Sequence, residues 1–472
     1  MVVCDTLRPD YLSPYGAELS TQFFDQWASR GTVFENAYAA GPGSSISHAA
    51  LFSGQYPSTS GVGGQVDLPE DVPHIAAHFQ SAGYDTFGMP GPSRIGSHWK
   101  YDRGFDEYLE KWADIPSSIS VDDLRKAVAD PTLLYPMPKE FVRRALYGDD
   151  HHASYLLDVF ARKTSALEEP YFSFVNVTIT HGPYQTPRPY KEDAVPLLDR
   201  PAFGVLDRFG EERIQHSNVD LDHIAEIHNP SGFAKELSDD GFLTSAELDV
   251  VRSFYQATVE YLDDQLEALF QRLDRRGSLE NTIVVLLSDH GEYLGERGLT
   301  GHMHFHYEEC LHIPLILSGP GVSAGERRSD FVSLIDVFPT LCDLTGLDVP
   351  DDVDGRRLFG GRNRTRVFAE NGPREVSPVF QKYLSDATVS RLERGLKSVR
   401  TTEHLYTLDS GREERLFETP SETAVSDPDP DRLSEYRQLV HDELGEEFPP
   451  GAQDDDFDEA IEENLRHLGY LS

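Results

Sequence analysis

The sequence predicts an α/β fold, with a mostly parallel sheet covered by helices on both faces and a smaller unit of antiparallel strands after it. Three observations carry that expectation. Short apolar runs alternate with helical patterns along the first part of the chain, as parallel strands joined by crossover helices do. One long amphipathic helix, "TSAELDVVRSFYQATVEYLDDQLEALFQRLDRRG", leads directly into the apolar strand "NTIVVLLSDHG". Residues able to carry chemistry stand at the ends of the apolar runs, and open α/β sheets bind ligands at the carboxyl ends of their strands.

Taken in order, "MVVCD" reads as the end of an apolar strand closed by Asp5. "GPGSSISHAALFSGQYP", residues 41–57, reads as a turn, then a helix, then a stop at Ser53-Gly54. The first turn of such a helix exposes unpaired N–H groups and the positive end of its dipole, which favour an anion. N-capping by Ser44 or Ser45 accounts for the same residues. Nothing local says which of Ser44, Ser45 and Ser47 would be activated. "PHIAAHFQSAGYDTFGM" is a helix followed by a strand, and "YFSFVNVTIT" is another strand. In the long helix Thr244 and Glu247 form a capping box. Val251, Tyr255, Thr258, Leu262, Leu266, Leu269 and Leu273 keep a helical stripe, and Gly277 ends it. A second unit starts near residue 361, dividing the chain into 1–360 and 361–472. Within it "LKSVRTTEHLYTLD" is a hairpin, "DPDPDRLSEYRQLVHDEL" an acidic helix and "PPGAQDDDFDEA" a solvated loop. No internal repeat is present.

The bulk numbers exclude several function classes. The 472 residues suffice for one large domain and a smaller one, and 39% are hydrophobic, enough for an ordinary core. The net charge is −39, with only nine lysines. That balance argues against nucleic-acid binding and against attachment to a membrane surface. It suits a solvated acidic shell of halophilic type, whose self-repulsion is relieved by salt. No run is apolar for the ~18 residues of a membrane helix. No basic segment precedes a long apolar one at the N-terminus, so the expected location is cytoplasmic. Cys4, Cys310 and Cys342 are far apart and imply neither a disulfide framework nor a zinc–thiolate site.

Asp5, Asp289-His290 and, a short step after its strand, His181 stand at strand ends. Two carboxylates and an imidazole meeting at one sheet edge would suit Ca²⁺, Mg²⁺ or Mn²⁺. Each residue alone would be an ordinary strand-end polar group. His302, His304, His306 and His312 crowd "GHMHFHYEECLHIP". They read either as a metal cluster or as a segment in which only some of the rings point inward.

The order of the motifs then resembles a known family. "VVCDTLRPDYLSPYG", "SSISHAALFSGQYPS", "GYDTFGM…DRGFDEY", "VNVTITHGPYQTP", "LLSDHGEYLGERGLTGH…YEECLHIPLILSGPG" and "VSLIDVFPTLCDLTGLDVPDDVDGRRL" resemble the sulfatase family of the alkaline-phosphatase-like superfamily. The likeness runs from the first residue to about 360. The tail "LRHLGYLS" also resembles the end of many members. The resemblance implies an α/β/α sandwich around a mostly parallel sheet, with a small C-terminal α+β domain. It implies one divalent metal, with Ca²⁺ first and Mg²⁺ or Mn²⁺ as alternatives, on Asp5, Thr6, Asp289 and His290. Ser44 matches the nucleophile position, held in typical sulfatases by a Cys converted to formylglycine. His181 matches a histidine that contacts the sulfate group, and His302 falls where many members carry a Lys. His48 and His304 are expected against the substrate.

This sequence departs from the pattern at several places. The Asp-Asp pair is Asp5-Thr6. Position 290 is His rather than Asn, as in the phosphohydrolase branches. The C-x-P-S-R box has Ser44, Ile46 and His48 in place of Cys, Pro and Arg, so an unmodified Ser44 hydroxyl is expected. The Lys after "GYDTFG" is absent, with Arg94 and His98 nearby. The first strand reads as short at its N-terminal end. The expected activity is metal-dependent hydrolysis of a small-molecule or carbohydrate sulfate ester. The metal would activate the attacking hydroxyl, and His302 or His181 would protonate the leaving oxygen. The alternatives are a phosphomonoester, phosphodiester or phosphonate-ester hydrolase, and a metal-stabilised binding protein without turnover.

Overall fold

The structure is a computed structural model. It describes residues 1–110, 153–182, 245–274, 279–302, 304–376 and 386–451, with Asp150 and short pieces between 184 and 220. The Thr244–Glu247 capping box, Gly277, most of "PPGAQDDDFDEA" and the tail "LRHLGYLS" lie outside the described residues.

Eight strands form the central sheet: β1 (Val2–Cys4), β2 (Gly31–Tyr38), β3 (Asp85–Met89), β4 (Glu107–Tyr108), β5 (Tyr171–Val177), β6 (Val284–Leu287), β7 (His312–Ser318) and β8 (Glu326–Ser333). Their spatial order is β8-β2-β7-β6-β1-β5-β3-β4. Only β7 runs against its neighbours, pairing antiparallel with both β2 and β6. The sheet is thus mostly parallel, as the alternating pattern predicts. Strand β1 lies between β5 and β6, with Val3 opposite Asn176 on one side and Leu287 on the other. That register brings the carboxyl ends of three adjacent strands level.

Apolar residues on both faces of the sheet are buried, because a parallel sheet is covered on each side. On one face the core gathers Val2, Cys4, Val175 and Leu286 against the long helix. On the other it gathers Val3, Phe174, Val285 and Leu287. The main helices are α1 (Gln22–Arg30), α2 (Ser44–Ser53), α3 (Ile75–Ser81), α4 (Ala153–Thr164), α5 (Ser245–Asp274) and α6 (Val337–Thr345). All seven members of the α5 stripe, from Val251 to Leu273, are buried. The helix also carries polar contacts. The Asp263 carboxylate accepts from the amides of Phe23 and Phe24 and so caps α1. Tyr255 accepts from the Arg8 amide at 2.8 Å and donates to the Thr6 carbonyl at 2.8 Å. α5 therefore props up the loop that leaves β1.

A separate antiparallel sheet follows, built from β9 (Val367–Asn371), β10 (Leu396–Arg400), β11 (His404–Asp409), β12 (Glu414–Glu418) and β13 (Thr423–Ala424). The predicted hairpin is β10–β11. The acidic helix is α7, Pro430–Leu444, with Pro430 in its first turn and the Asp429 side chain capping it. Lys397 from β10 donates to the carbonyls of Leu444, Gly445 and Glu447, satisfying the carbonyls at the end of α7. An ion pair from Arg400 ties this sheet to the segment before β7. Arg400 pairs with Glu422 and, at 3.0 Å, with Glu308, whose carboxylate also accepts from Tyr38 of β2.

Candidate active site

The site forms where β1, β5 and β6 end. Asp5 follows β1, Asp289 and His290 follow β6, and His181 follows β5 after one turn. Asp5, Asp289 and His290 are fully buried and offer ligand atoms within 4.8 Å of one another. The His290 Nδ1 lies 2.9 Å from the Gly291 carbonyl. Donation there leaves Nε2 with a free lone pair, and Ser44 Oγ stands 3.2 Å from it.

Ser44 is placed by α2. Gly43 caps the helix and no side chain does, so Ser44 is its first residue. The expectation that Ser44 or Ser45 caps this helix is therefore corrected. The hydroxyls of Ser45 and Ser47 are drawn elsewhere. Ser45 donates to Gln65 at 2.8 Å, and Ser47 donates to the Gly41 carbonyl at 2.9 Å. Of the three serines, only Ser44 meets the cluster of carboxylates and imidazoles.

Thr6 meets Asp289 through its backbone. The Thr6 backbone has a positive φ of 58°. That turn aims its amide at Asp289 Oδ1, 3.2 Å away, while its hydroxyl donates to the Thr180 carbonyl at 2.7 Å. Thr6 thus steadies a carboxylate through its backbone, and its hydroxyl proton is not spent on the cluster. His48 is also elsewhere than expected. It is fully buried behind Ser44, with Nδ1 2.8 Å from the Ser44 carbonyl and 3.6 Å from Asp289 Oδ2, and Nε2 3.1 Å from Asn176. It does not line the cavity in front of Ser44. Its contacts make it a support for Asp289 and for the first turn of α2.

Burial works against the Asp289 charge, but the His290 and His48 rings and the amides of Thr6 and His290 hold its carboxyl below the ordinary range. Its Oδ2 is buried and accepts no hydrogen bond among the described residues. A buried carboxylate oxygen in that state costs free energy unless a cation meets it. Two carboxylates and one imidazole lone pair form a donor set that fits a hard divalent cation.

Three imidazoles crowd the same edge. The His302 ring lies 4.4 Å from that of His290 and 5.0 Å from that of His181. Burial and the neighbouring His302 push His181 down to about 4. Burial and His290 push His302 well below its ordinary value. His302 Nδ1 is 3.3 Å from Glu292 Oε1. Burial raises that carboxyl to about 7, against the pull of His181 and His290.

In front of Ser44 is a cavity of about 70 Å³, lined among others by Arg94, His302, His304, Asn371 and Arg374. Of Arg94 and His98, Arg94 is the one that lines this cavity. His98 is exposed beside Trp99. The Arg94 guanidinium donates to Gln65, which also receives Ser45. The histidine run splits by position. His302 and His304 reach the cavity, His304 through a positive φ of 75°. His306 bonds Asn371 and Ser398, and His312 bonds the Glu35 carbonyl. The run is therefore not one metal cluster. Sequence reasoning missed Gln65, Asn176, Glu292 and Arg374. Glu292 sits inside the quoted "SDHGEYLGERG" block, but Arg374 carries no local signal.

The family model described as Sulfatase matches residues 1–347. The chain belongs to the sulfatase family. It is a hydrolase of sulfate esters. It is 26% identical over 465 residues to the Delta 4,5-hexuronate-2-O-sulfatase of Bacteroides thetaiotaomicron, covering 94% of this chain and 87% of the relative. Among solved structures it shares its fold with the phosphonate monoester hydrolase of Agrobacterium radiobacter, at TM-score 0.66 and 22% identity, over 94% of each chain. A 2-O GAG sulfatase gives TM-score 0.64 at 21% identity, over 93% of this chain and 90% of the other. No described helix of this sulfatase is long and apolar enough to cross a membrane.

Proposed function

We propose that this sulfatase cleaves sulfate esters of carbohydrates with Ser44 as an unmodified nucleophile beside a divalent cation held by Asp5, Asp289 and His290. The observation that carries the reading is the placement of Ser44 Oγ, 3.2 Å from His290 Nε2, at the first turn of α2. When bound, the cation would supply Lewis-acid stabilisation of charge and a lowered hydroxyl pKa. Ser44 Oγ attacks sulfur and passes its proton to the neutral imidazole of His302 or His181, and the bond from sulfur to the alcohol oxygen breaks. His302 or His181 returns a proton to that oxygen. Water then cleaves the sulfo-serine, releasing sulfate and restoring the hydroxyl. The free amides of the first turn of α2, with Arg94, hold the anion. Burial disfavours the charged form of both rings, so either can take up the Ser44 proton before giving it to the leaving oxygen.

Carbohydrate esters are favoured by the likeness to a hexuronate sulfatase over nearly the whole chain. His290 also suits phosphate or phosphonate esters, so these belong in the same assay. The acidic composition suits a protein working in concentrated salt. The test is a panel of sugar and aryl sulfates against the matching phosphate and phosphonate esters, with Ser44→Ala as control. Sulfate release by the wild type and a loss of about a thousandfold or more in Ser44→Ala are expected. Near-normal activity in that variant would remove Ser44 from the role. Peptide mass spectrometry should find serine at position 44, and a loss of about two mass units, from oxidation to an aldehyde, would refute the unmodified hydroxyl.

A further inference from the structure

The chain after β6 folds back on itself. Tyr293–Leu294 and Thr300–Gly301 form a short antiparallel ribbon, in which Leu294 faces Thr300 and Tyr293 faces Gly301. One step further along that register, Glu292 stands opposite His302. Side chains that face each other across a ribbon are neighbours. The contact follows from the register: His302 Nδ1 is 3.3 Å from Glu292 Oε1.

Glu292 is buried and is held independently of that contact. Its amide donates to the Glu309 carbonyl at 3.0 Å, and its own carbonyl accepts from the Arg8 guanidinium at 3.0 Å. A Cβ on the preceding Gly291 would lie 2.1 Å from the Glu309 carbonyl oxygen, so two backbones pass here as closely as glycine permits. The Glu292 side chain is therefore an acceptor in a fixed place. Donation to it from Nδ1 leaves Nε2 as the His302 nitrogen for the cavity, which that ring lines together with Ser44. His181 is backed differently. Its Nδ1 lies 2.6 Å from the Gly182 carbonyl, and it is His302, not His181, that stands among the residues lining the Ser44 cavity. A carboxylate behind an imidazole stabilises the ring's protonated form more than a neutral carbonyl does.

We propose that Glu292 is a positioning residue, which fixes His302 as the imidazole that carries the proton between Ser44 and the leaving alcohol. This rests on the Ser44 reading of the site and narrows its two proton carriers to one. Before reaction the Glu292 carboxylate accepts from Nδ1–H, and Nε2 holds a lone pair. As Ser44 Oγ bonds to sulfur, its proton passes to Nε2, and the resulting imidazolium lies against the carboxylate. The bond from sulfur to the alcohol oxygen breaks, its electron pair goes to that oxygen, and the oxygen takes the proton from Nε2. In the second half Nε2 accepts a proton from water as the water oxygen bonds to sulfur. It returns that proton to Ser44 Oγ as the bond from sulfur to Oγ breaks. Glu292 ends each half as it began.

The test measures kcat and KM on the ester of the panel above that the wild type hydrolyses best. The variants are Glu292→Gln, His302→Gln, His181→Gln and the two double variants that contain Glu292→Gln. Glutamine keeps the shape and an acceptor but not the charge. Glu292→Gln should lose about tenfold to a hundredfold in kcat, with KM within about threefold of wild type. Combined with His302→Gln it should cost no more than His302→Gln alone, because both act at one imidazole. Combined with His181→Gln the losses should multiply. Glu292→Asp, which keeps the charge, should recover part of kcat. Elemental analysis and thermal melts accompany every variant. If the losses at 292 and 302 multiply, or if Glu292→Gln gives up the metal, raises KM alone or lowers only the melt, the inference fails while the Ser44 reading stands. Near-normal turnover in Ser44→Ala, or no sulfate release by the wild type from any ester, would overturn both.

Discussion

Asp289 shows how a single carboxylate is kept charged inside a protein. It is fully buried, yet the Thr6 and His290 amides donate to one oxygen, and the His48 and His290 rings stand near the other. Removing it should remove the cation. In Asp289→Ala, metal affinity should fall by about a hundredfold or more, read by elemental analysis of protein dialysed against a metal buffer. His48 does not face the cavity, so its removal should act through Asp289. His48→Ala is expected to weaken metal binding by about tenfold to a hundredfold, as loss of an outer support does. Equal metal content in wild type and Asp289→Ala would end the assignment of the cation to these residues.

His306 ties the segment before β7 to the end of β9. His306 is buried between Asn371 and Ser398, and burial brings it down to about 4. In the unfolded chain a histidine titrates near 6.5. Between those values the unfolded chain holds a proton that the native protein does not. Stability is therefore complete above about 6.5 and is lost as pH falls toward 4. One such residue is worth about 2 kcal/mol at pH 5. His306→Gln, which keeps a donor toward Asn371, should lose less stability than wild type between pH 7 and pH 5. His74, brought down to about 3 by burial and Arg103, would still contribute in both proteins. Melting curves at the two pH values measure the difference, and identical acid sensitivity in the two proteins would refute the assignment.

At the scale of the whole molecule the excess negative charge dominates. The net −39 generates repulsion that extends about 30 Å at 0.01 M salt and about 3 Å at 1 M. The melting temperature should therefore rise from 10 mM to molar KCl. Buried pairs such as Arg364 with Asp336, bonded through Nε and Nη2, are poorly screened and should not offset that rise. A melting temperature flat or falling with salt would show that the acidic surface does not govern stability.

Much of the fold was legible in the sequence because it is written in local patterns. The stripe from Val251 to Leu273 has helical spacing, and all of it is buried. The apolar runs at β1, β5 and β6 mark a sheet covered on both faces, and the sheet rule places Asp5, Asp289 and His290 at one edge. Family resemblance, rather than spacing, singled out Ser44. The tertiary structure alone decided which polar groups share that edge and which only support it. Thr6 and His48 occupy motif positions, but a positive φ at Thr6 and the burial of His48 behind α2 turn them toward Asp289. Arg374 lies 330 residues from Ser44 along the chain and reaches it only because β9 packs its end against the main sheet. Local periodicity encodes which residues are buried, whereas a cavity wall is made by segments whose meeting depends on long-range packing that no short stretch of sequence contains.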